Sequence, residues 1–447
     1  MSFIKLGNAE KLILPGNQLT EYKMRGLLFM IMALPGIVAA QFANYLIDSS
    51  SVKGIYPYDP SVAISIKNPD VLVAGASPYW VYRSTDRGKT WIRSRLLCPY
   101  PVTGSPKLLA DFKGHFYYSH FSEANDSGGA AFSDRIVVQT SINEGRNWDA
   151  GIITAQKEGT YPAHYGITLA RDGLLYAAWT EIEPTSDGGC KAYVMLSKAA
   201  GGKKFSRPVR ITAQDGSCNE DVMPKGAQPA VTNDGRIFVA WAQDGKIYLD
   251  RSWDGGNMWL ANDILITNQP GGNQIHIPGM GIVDGSPQLV IDQSKGRFSG
   301  AMYLIWTDAG DGNADIWFMR SFNMGDNWTA PLRIHTDDGQ AHQFAPWMTV
   351  DSETGYIYIV FYDRRNHPDN HTDVYLAWSS DNGTTFRNVK LSETSFNPDI
   401  KGKGHRYTYI SAYNGIIIPV WTHIAGSRTS IWTAPVKQWE LENNKAK

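Results

Sequence analysis

The chain has 447 residues, a formal net charge of −1, 12% aromatic residues, 43 Gly and 15 Trp. A near-zero charge gives no electrostatic argument for nucleic acid, which calls for a basic face. That many aromatics and glycines suits short strands joined by tight turns more than helices, and a length beyond one ordinary core suits a repeat architecture, in which each unit packs mainly on its neighbours.

The chain opens with an extension, then Met24-Arg25 and the apolar run Leu27–Leu34, followed by Pro35-Gly-Ile-Val-Ala-Ala40. A charged start, a short apolar run and small residues at the exit predict a secretory signal peptide within residues 1–40. The run is too short, and too broken by Pro and Gly, for a transmembrane span. The expected setting is therefore secreted, periplasmic or cell-surface. Of the three cysteines, Cys98, Cys190 and Cys218, the last two share a region and are the preferred disulfide pair. None makes a close Cys-x-x-Cys pair, so no metal is expected, and nothing calls for a cofactor.

From residue 41 onward the sequence reads as one all-β domain, 41–447. Asn44–Asp48 is a lone candidate strand. Alternating β-branched and aromatic runs, cut by Gly, Asn and Asp turns, then group in fours. The first group reads 60–66, 71–76, 80–84 and 92–97. Five further groups of four follow, beginning near Pro106, His164, Pro229, Pro287 and Pro346. Between the fourth and fifth lies a Gly/Asn/Pro-rich stretch, Asn268–Gly285, read as a long loop of the kind that often carries function.

One frame recurs between the third and fourth strands: Ser-x-Asp/Asn-x-Gly-x-x-aromatic. It stands at Ser84/Asp86/Gly88/Trp91, Ser141/Asn143/Gly145/Trp148, Ser252/Asp254/Gly256/Trp259, Ser321/Asn323/Gly325/Trp328 and Ser379/Asp381/Gly383/Phe386. A worn copy lies at Ser197/Gly201/Phe205. The carboxyl or amide oxygen accepts from backbone N–H groups of the turn, glycine supplies the conformation a side chain forbids, and the aromatic ring folds back beneath its own blade. Such an acid is a staple and a poor catalyst.

The last group, 407–412, 416–421 and 429–436, has three strands and no box. The lone strand near Tyr45–Ile47 supplies the fourth, since a ring left open would expose an edge. The prediction is a seven-bladed β-propeller of four-stranded antiparallel blades closed by both termini; six blades is the alternative count.

In such a ring the blade entries and the second-to-third loops share one face, opposite the boxes, and line the mouth of the central funnel. Asp59, His164, Trp347, Arg406 and Tyr409 stand at entries; Glu181, Asp363, Arg364 and Arg365 stand at ends of second strands. Aromatic rings stack on sugar faces, carboxylates do acid–base work, and arginine forks an anionic group. The structural alternatives are an ion-paired loop for Asp363–Arg365, a solvated acid for Glu181, a turn cap for Asp59, a packing role for His164 and a core position for Tyr409.

The boxes on this strand plan resemble the Asp-box propellers of the sialidase superfamily, over essentially the whole of 41–447. Ser133–Ser141, Trp347–Asp351, Val360–Asn366 and Thr372–Ala377 are similar to secreted bacterial sialidase-like proteins, a group whose resemblance implies no secure activity. Sialidases carry an Arg in a Phe/Tyr-Arg-Ile-Pro segment opening the first blade; here Tyr58-Asp59-Pro60-Ser61 has none. The resemblance implies Asp59 as acid/base, Tyr409 as nucleophile supported by Glu181, and Arg364, Arg365 and Arg406 binding an anionic sugar, with Asp363, His164 and Trp347 beside them. Three functions follow as expectations: a sialidase-type glycosidase, a non-catalytic propeller binding an anionic glycan or an envelope protein, and a polysaccharide lyase.

Overall fold

A computed structural model of the protein describes residues 42–52, 54–123, 133–154, 157–200, 203–337, 340–398, 407–426 and 428–443. The expected signal segment lies outside them. Among the described residues, no helix is long and apolar enough to cross a membrane.

Seven antiparallel sheets form the ring. Six are consecutive four-strand meanders, from Tyr58–Ile64, Leu72–Ser77, Trp80–Ser84 and Ile92–Arg95 in blade one to Gln343–Val350, Ile357–Asp363, Asp373–Ser379 and Arg387–Lys390 in blade six. Blade seven is closed as expected. Tyr45–Asp48 pairs with Arg428–Thr433 as the outermost strand, matching Tyr45 to Thr433 and Leu46 to Trp432. The second strands of blades one and six and the third strand of blade six are buried on both faces, which is why they read as nearly continuous apolar runs. The expected Cys190–Cys218 disulfide forms, tying the third strand of blade three to the following loop.

The boxes have the anticipated hydrogen bonds. Ser84 Oγ donates to Asp86 Oδ1 (2.8 Å) and accepts the Gly88 N–H (2.9 Å), while Asp86 Oδ1 accepts the N–H groups of Lys89 and Thr90. One expectation is corrected. The box aromatics lie at seams between blades, not beneath their own: Trp148 packs among Val73 and Phe116 of blades one and two, and Phe386 meets Phe318 of blade five edge-on at 5.0 Å. A ring fixed on two sheets buries more apolar surface than a ring under one.

A chain of basic residues continues the same seams. Arg83 Nε donates to Glu144 O (2.8 Å), Arg251 Nη1 to Met324 O (2.6 Å), and Lys198 Nζ and Arg320 Nη1 to Gly255 O and Asn382 O. Each acceptor is the box residue before glycine on the next blade. The worn copy departs from this pattern, because Ser197 Oγ donates to Ser206 O instead; Gly201 lies outside the described residues.

The stretch read as a loop, Asn268–Gly285, is a two-stranded ribbon, Gln274–Ile277 paired with Gly281–Asp284. Its Ile275, Ile277, Met280 and Val283 are buried in one cluster with Phe344, Tyr362 and Phe396 of blade six and its outer loop.

Candidate functional site: an axial funnel

Every inner strand of blades one, two, three, four and six breaks register near its start, between Tyr58 and Ser61, Gly104 and Lys107, Ala163 and Gly166, Lys225 and Gln228, and Phe344 and Trp347. At each break sits a residue of positive φ: Asp59 (50°), Ser105 (54°), His164 (45°), Gly226 (73°) and Ala345 (52°). Four of the five are not glycine, and a left-handed non-glycine residue costs about 1–3 kcal/mol, tolerated mostly where function or packing demands it. A bulge re-aims the side chains around it. Five such bulges ring the axis on one face.

They surround a cavity of ≈ 440 Å³, which Asp59, Lys107, His164, Asp284, Trp347 and Tyr409 all line. A second cavity of ≈ 260 Å³ continues along the axis and shares Lys107, Gln228, Gln288, Trp347 and Tyr409 with the first. These five side chains mark the waist between the two chambers.

Trp347 and Tyr409 are stacked, with centroids 4.4 Å apart and planes 24° from parallel. The Lys107 ammonium lies 4.8 Å from the Trp347 ring centroid and 5.3 Å from that of Tyr165. Burial lowers the Lys107 pKa to about 8, against the opposing pull of Asp284 and Asp59. The Tyr407 phenol is pushed far up, first by burial and then by the same two carboxylates. Asp59, Asp284, Lys107 and Tyr407 thus form one electrostatic group. Tyr409 is raised to about 12 by burial, opposed by a hydrogen bond with Ser61. Asp284 Oδ1 accepts the Ser286 N–H at 2.8 Å, which aims the carboxylate from the ribbon's end.

The structure therefore brings Asp59, His164, Trp347 and Tyr409 together. It does not bring the rest. Glu181 accepts from Trp179 Nε1 (2.5 Å) and Thr160 Oγ1 within blade three, one strand out from the axis, and does not reach Tyr409. Asp363 is fully buried, accepting the Arg365 N–H (2.8 Å), Arg365 Nε (2.7 Å) and Gln343 Nε2 (3.2 Å). Arg365 also holds Asn388, so the pair is an ion-paired loop and not an anion fork in the funnel. Arg364 points to Pro278 O, Thr372 and Asn370. Asp363 ends its second strand with Arg364 and Arg365 just beyond it, whereas Glu181 lies inside the long second strand Leu174–Pro184, and none of the four lines either cavity. Arg406 is outside the described residues. Among the described lining residues Lys107 is the only lysine or arginine.

Lys107 and Asp284 were missed in the sequence, one inside a strand and one inside a supposed loop. No group of three or more His, Cys, Asp or Glu is placed to hold a metal among the described residues.

No protein-family model matches the chain, and no curated protein matches its sequence. Among solved structures, the chain is similar to the Hadza microbial sialidase Hz136 at 12% identity and TM-score 0.46, covering 82% of this chain and 73% of that one. It is similar to the GH93 α-L-arabinofuranosidase of Fusarium graminearum, solved with arabinobiose, at 12% identity and TM-score 0.48, covering 89% and 98%. It is also similar to Trypanosoma rangeli sialidase at 14% identity and TM-score 0.43, spanning 76% of this chain and only 55% of that one. At such identities and TM-scores these likenesses assign neither a family nor an activity.

Proposed function

We propose that the axial funnel binds a glycan and cleaves a glycosidic bond, with Asp59 and Asp284 as its paired carboxylates. The observation that carries this is that both acids line one cavity with Lys107 and Tyr407 beside a stacked Trp347–Tyr409 wall. Two carboxyl groups flanking one site supply a proton to the leaving oxygen and activate the attacking group on the other side of the sugar. The indole face is a stacking platform, and Lys107 is the described cation that an anionic sugar would meet. The tyrosine-nucleophile chemistry implied by the sialidase resemblance has less support: Tyr409 is raised, and its expected partner Glu181 is bonded within blade three. Those two facts favour, as a second reading, a propeller that holds a glycan without cleaving it. The apolar run ahead of residue 41 and the Cys190–Cys218 bond support an oxidising, extracytoplasmic setting.

The test is a panel of fluorogenic glycosides (a sialoside, uronides, an arabinofuranoside and neutral hexosides) together with a glycan array. Turnover that falls at least about 100-fold in both D59N and D284N, with array binding retained, is the expected result. Array binding without turnover on any glycoside would select the second reading. Neither binding nor turnover would sink both.

A further inference from the structure

The geometry points to Arg364 as the residue that positions Asp284, by clamping the tip of the ribbon that carries this carboxylate into the funnel. The inference rests on the reading of Asp284 as a working acid.

The ribbon is held at two ends. At its base the buried Gln269 Nε2 donates to Gly285 O (2.8 Å) and Thr307 O (3.0 Å). At its tip Arg364 Nη2 donates to Pro278 O (2.8 Å). The remaining guanidinium bonds go to Thr372 Oγ1 (3.1 Å) and Asn370 Oδ1 (3.3 Å), and the group lies 5.4 Å from the Phe344 ring centroid. Arg364 is only 3% exposed, yet all three acceptors are neutral. Burying a guanidinium without a carboxylate at hydrogen-bond distance is unfavourable, so a role beyond blade stability is indicated. Arg365, its neighbour, shows the ordinary solution: it pairs with Asp363.

The clamp leaves little slack. Gly279, at the turn, has φ +74°, and a Cβ there would lie 2.3 Å from Pro398 O. The four buried apolar residues of the ribbon fix its roll on blade six. Asp284 is the last residue of the second ribbon strand, so displacement of the tip is passed along a two-stranded lever to the carboxylate. The groups facing Lys107 that would sense this are Asp284 and Asp59, with His164 and Tyr407 on the same wall.

The test reads Lys107 directly and needs no substrate. The full chain is reductively methylated with ¹³C-formaldehyde, the Lys107 resonance is assigned by its loss in K107R, and its titration midpoint is followed by NMR. D284N lowers the midpoint by removing a carboxylate that favours the ammonium, and R364M lowers it part of the way. R364K, which keeps charge but not the fork, gives a smaller drop and covers the case in which R364M does not fold. A midpoint unmoved in R364M while D284N lowers it overturns the inference and leaves Arg364 as a fixture of blade six. A midpoint unmoved in D284N overturns the inference together with the electrostatic group. If the midpoints move as expected while the glycoside panel stays silent, the hydrolase reading fails and the clamp stands.

Discussion

The seam between blades four and five offers a quantitative test of how the ring is held. Arg251 is 13% exposed in its side chain, donates to Met324 O at 2.6 Å and meets Asp326 at 2.7 Å across the seam. R251M keeps most of the apolar stem over Trp253 and removes the charge. A hydrogen bond from a charged donor is worth about 1.5–3 kcal/mol. The Asp326 carboxylate is 55% exposed, so solvent screens that pair to at most about 1 kcal/mol. The expected loss is therefore about 2–3 kcal/mol. For an unfolding unit of roughly 400 residues, at about 2 cal/mol/K per residue, this lowers Tm by about 2–4 °C. Differential scanning calorimetry is the assay, with R297M as control, because exposed Arg297 stacks only on exposed Phe298. If R251M and R297M shift Tm equally, the basic residue is not a seam bond and the reasoning is wrong.

Three further expectations follow from the same architecture. Gly383 has φ +72°, and a Cβ there would stand 2.4 Å from the Phe318 ring, so G383A combines left-handed strain with overpacking and loses about 2–5 kcal/mol by urea denaturation. For Asp381, burial opposes ionisation, but bonds from Thr385, Ser379 and Thr384 prevail and hold its pKa below the usual value. A depressed folded-state pKa stabilises above the unfolded value of about 4, and that contribution fades as pH falls through the folded value. The stability gap between wild type and D381N should thus narrow from pH 7 to pH 3; a gap that widens contradicts the assignment. Removing both Cys190 and Cys218, which are separated by 28 residues, should cost about 3–4 kcal/mol on the loop-closure estimate, read as a drop in the guanidinium midpoint.

The boxes were legible because every atom of the motif lies within eight residues. Serine hydroxyl, acid and glycine N–H meet whatever the rest of the chain does. Ring closure by Tyr45–Asp48 was legible for a related reason: a three-stranded last group and a lone first strand complete each other. The seams were not. Arg251 and Met324 are 73 residues apart, and nothing local marks the carbonyl as an acceptor. The ribbon failed similarly, since its apolar residues alternate over only four positions and their partners are in blade six. Glu181 and Asp363 were misplaced because second strands stand one strand out from the axis.

The funnel wall did leave one mark in the sequence that went unused. Counting two residues on from each left-handed position gives Ser61 after Asp59, Lys107 after Ser105, Gly166 after His164, Gln228 after Gly226 and Trp347 after Ala345. Three of these lie just past a proline, Pro60, Pro106 or Pro346, and Gln288 follows Pro287 in the same manner. Lys107, Gln228, Gln288 and Trp347 all stand at the waist, Ser61 bonds Tyr409 there, and at Gly166 a Cβ would meet Ala227 O at 2.5 Å. A bulge turns the second following side chain toward the axis, and proline, with φ fixed and no N–H to leave unbonded, suits the extra residue. The consequence is that the axis is read from one position in each of the first six blades: a hydroxyl, an amine, a glycine, two amides and an indole. The glycine at blade three lets the Ala227–Pro229 segment of blade four approach closely, and among the described residues shared by the two chambers the amine is the one charge.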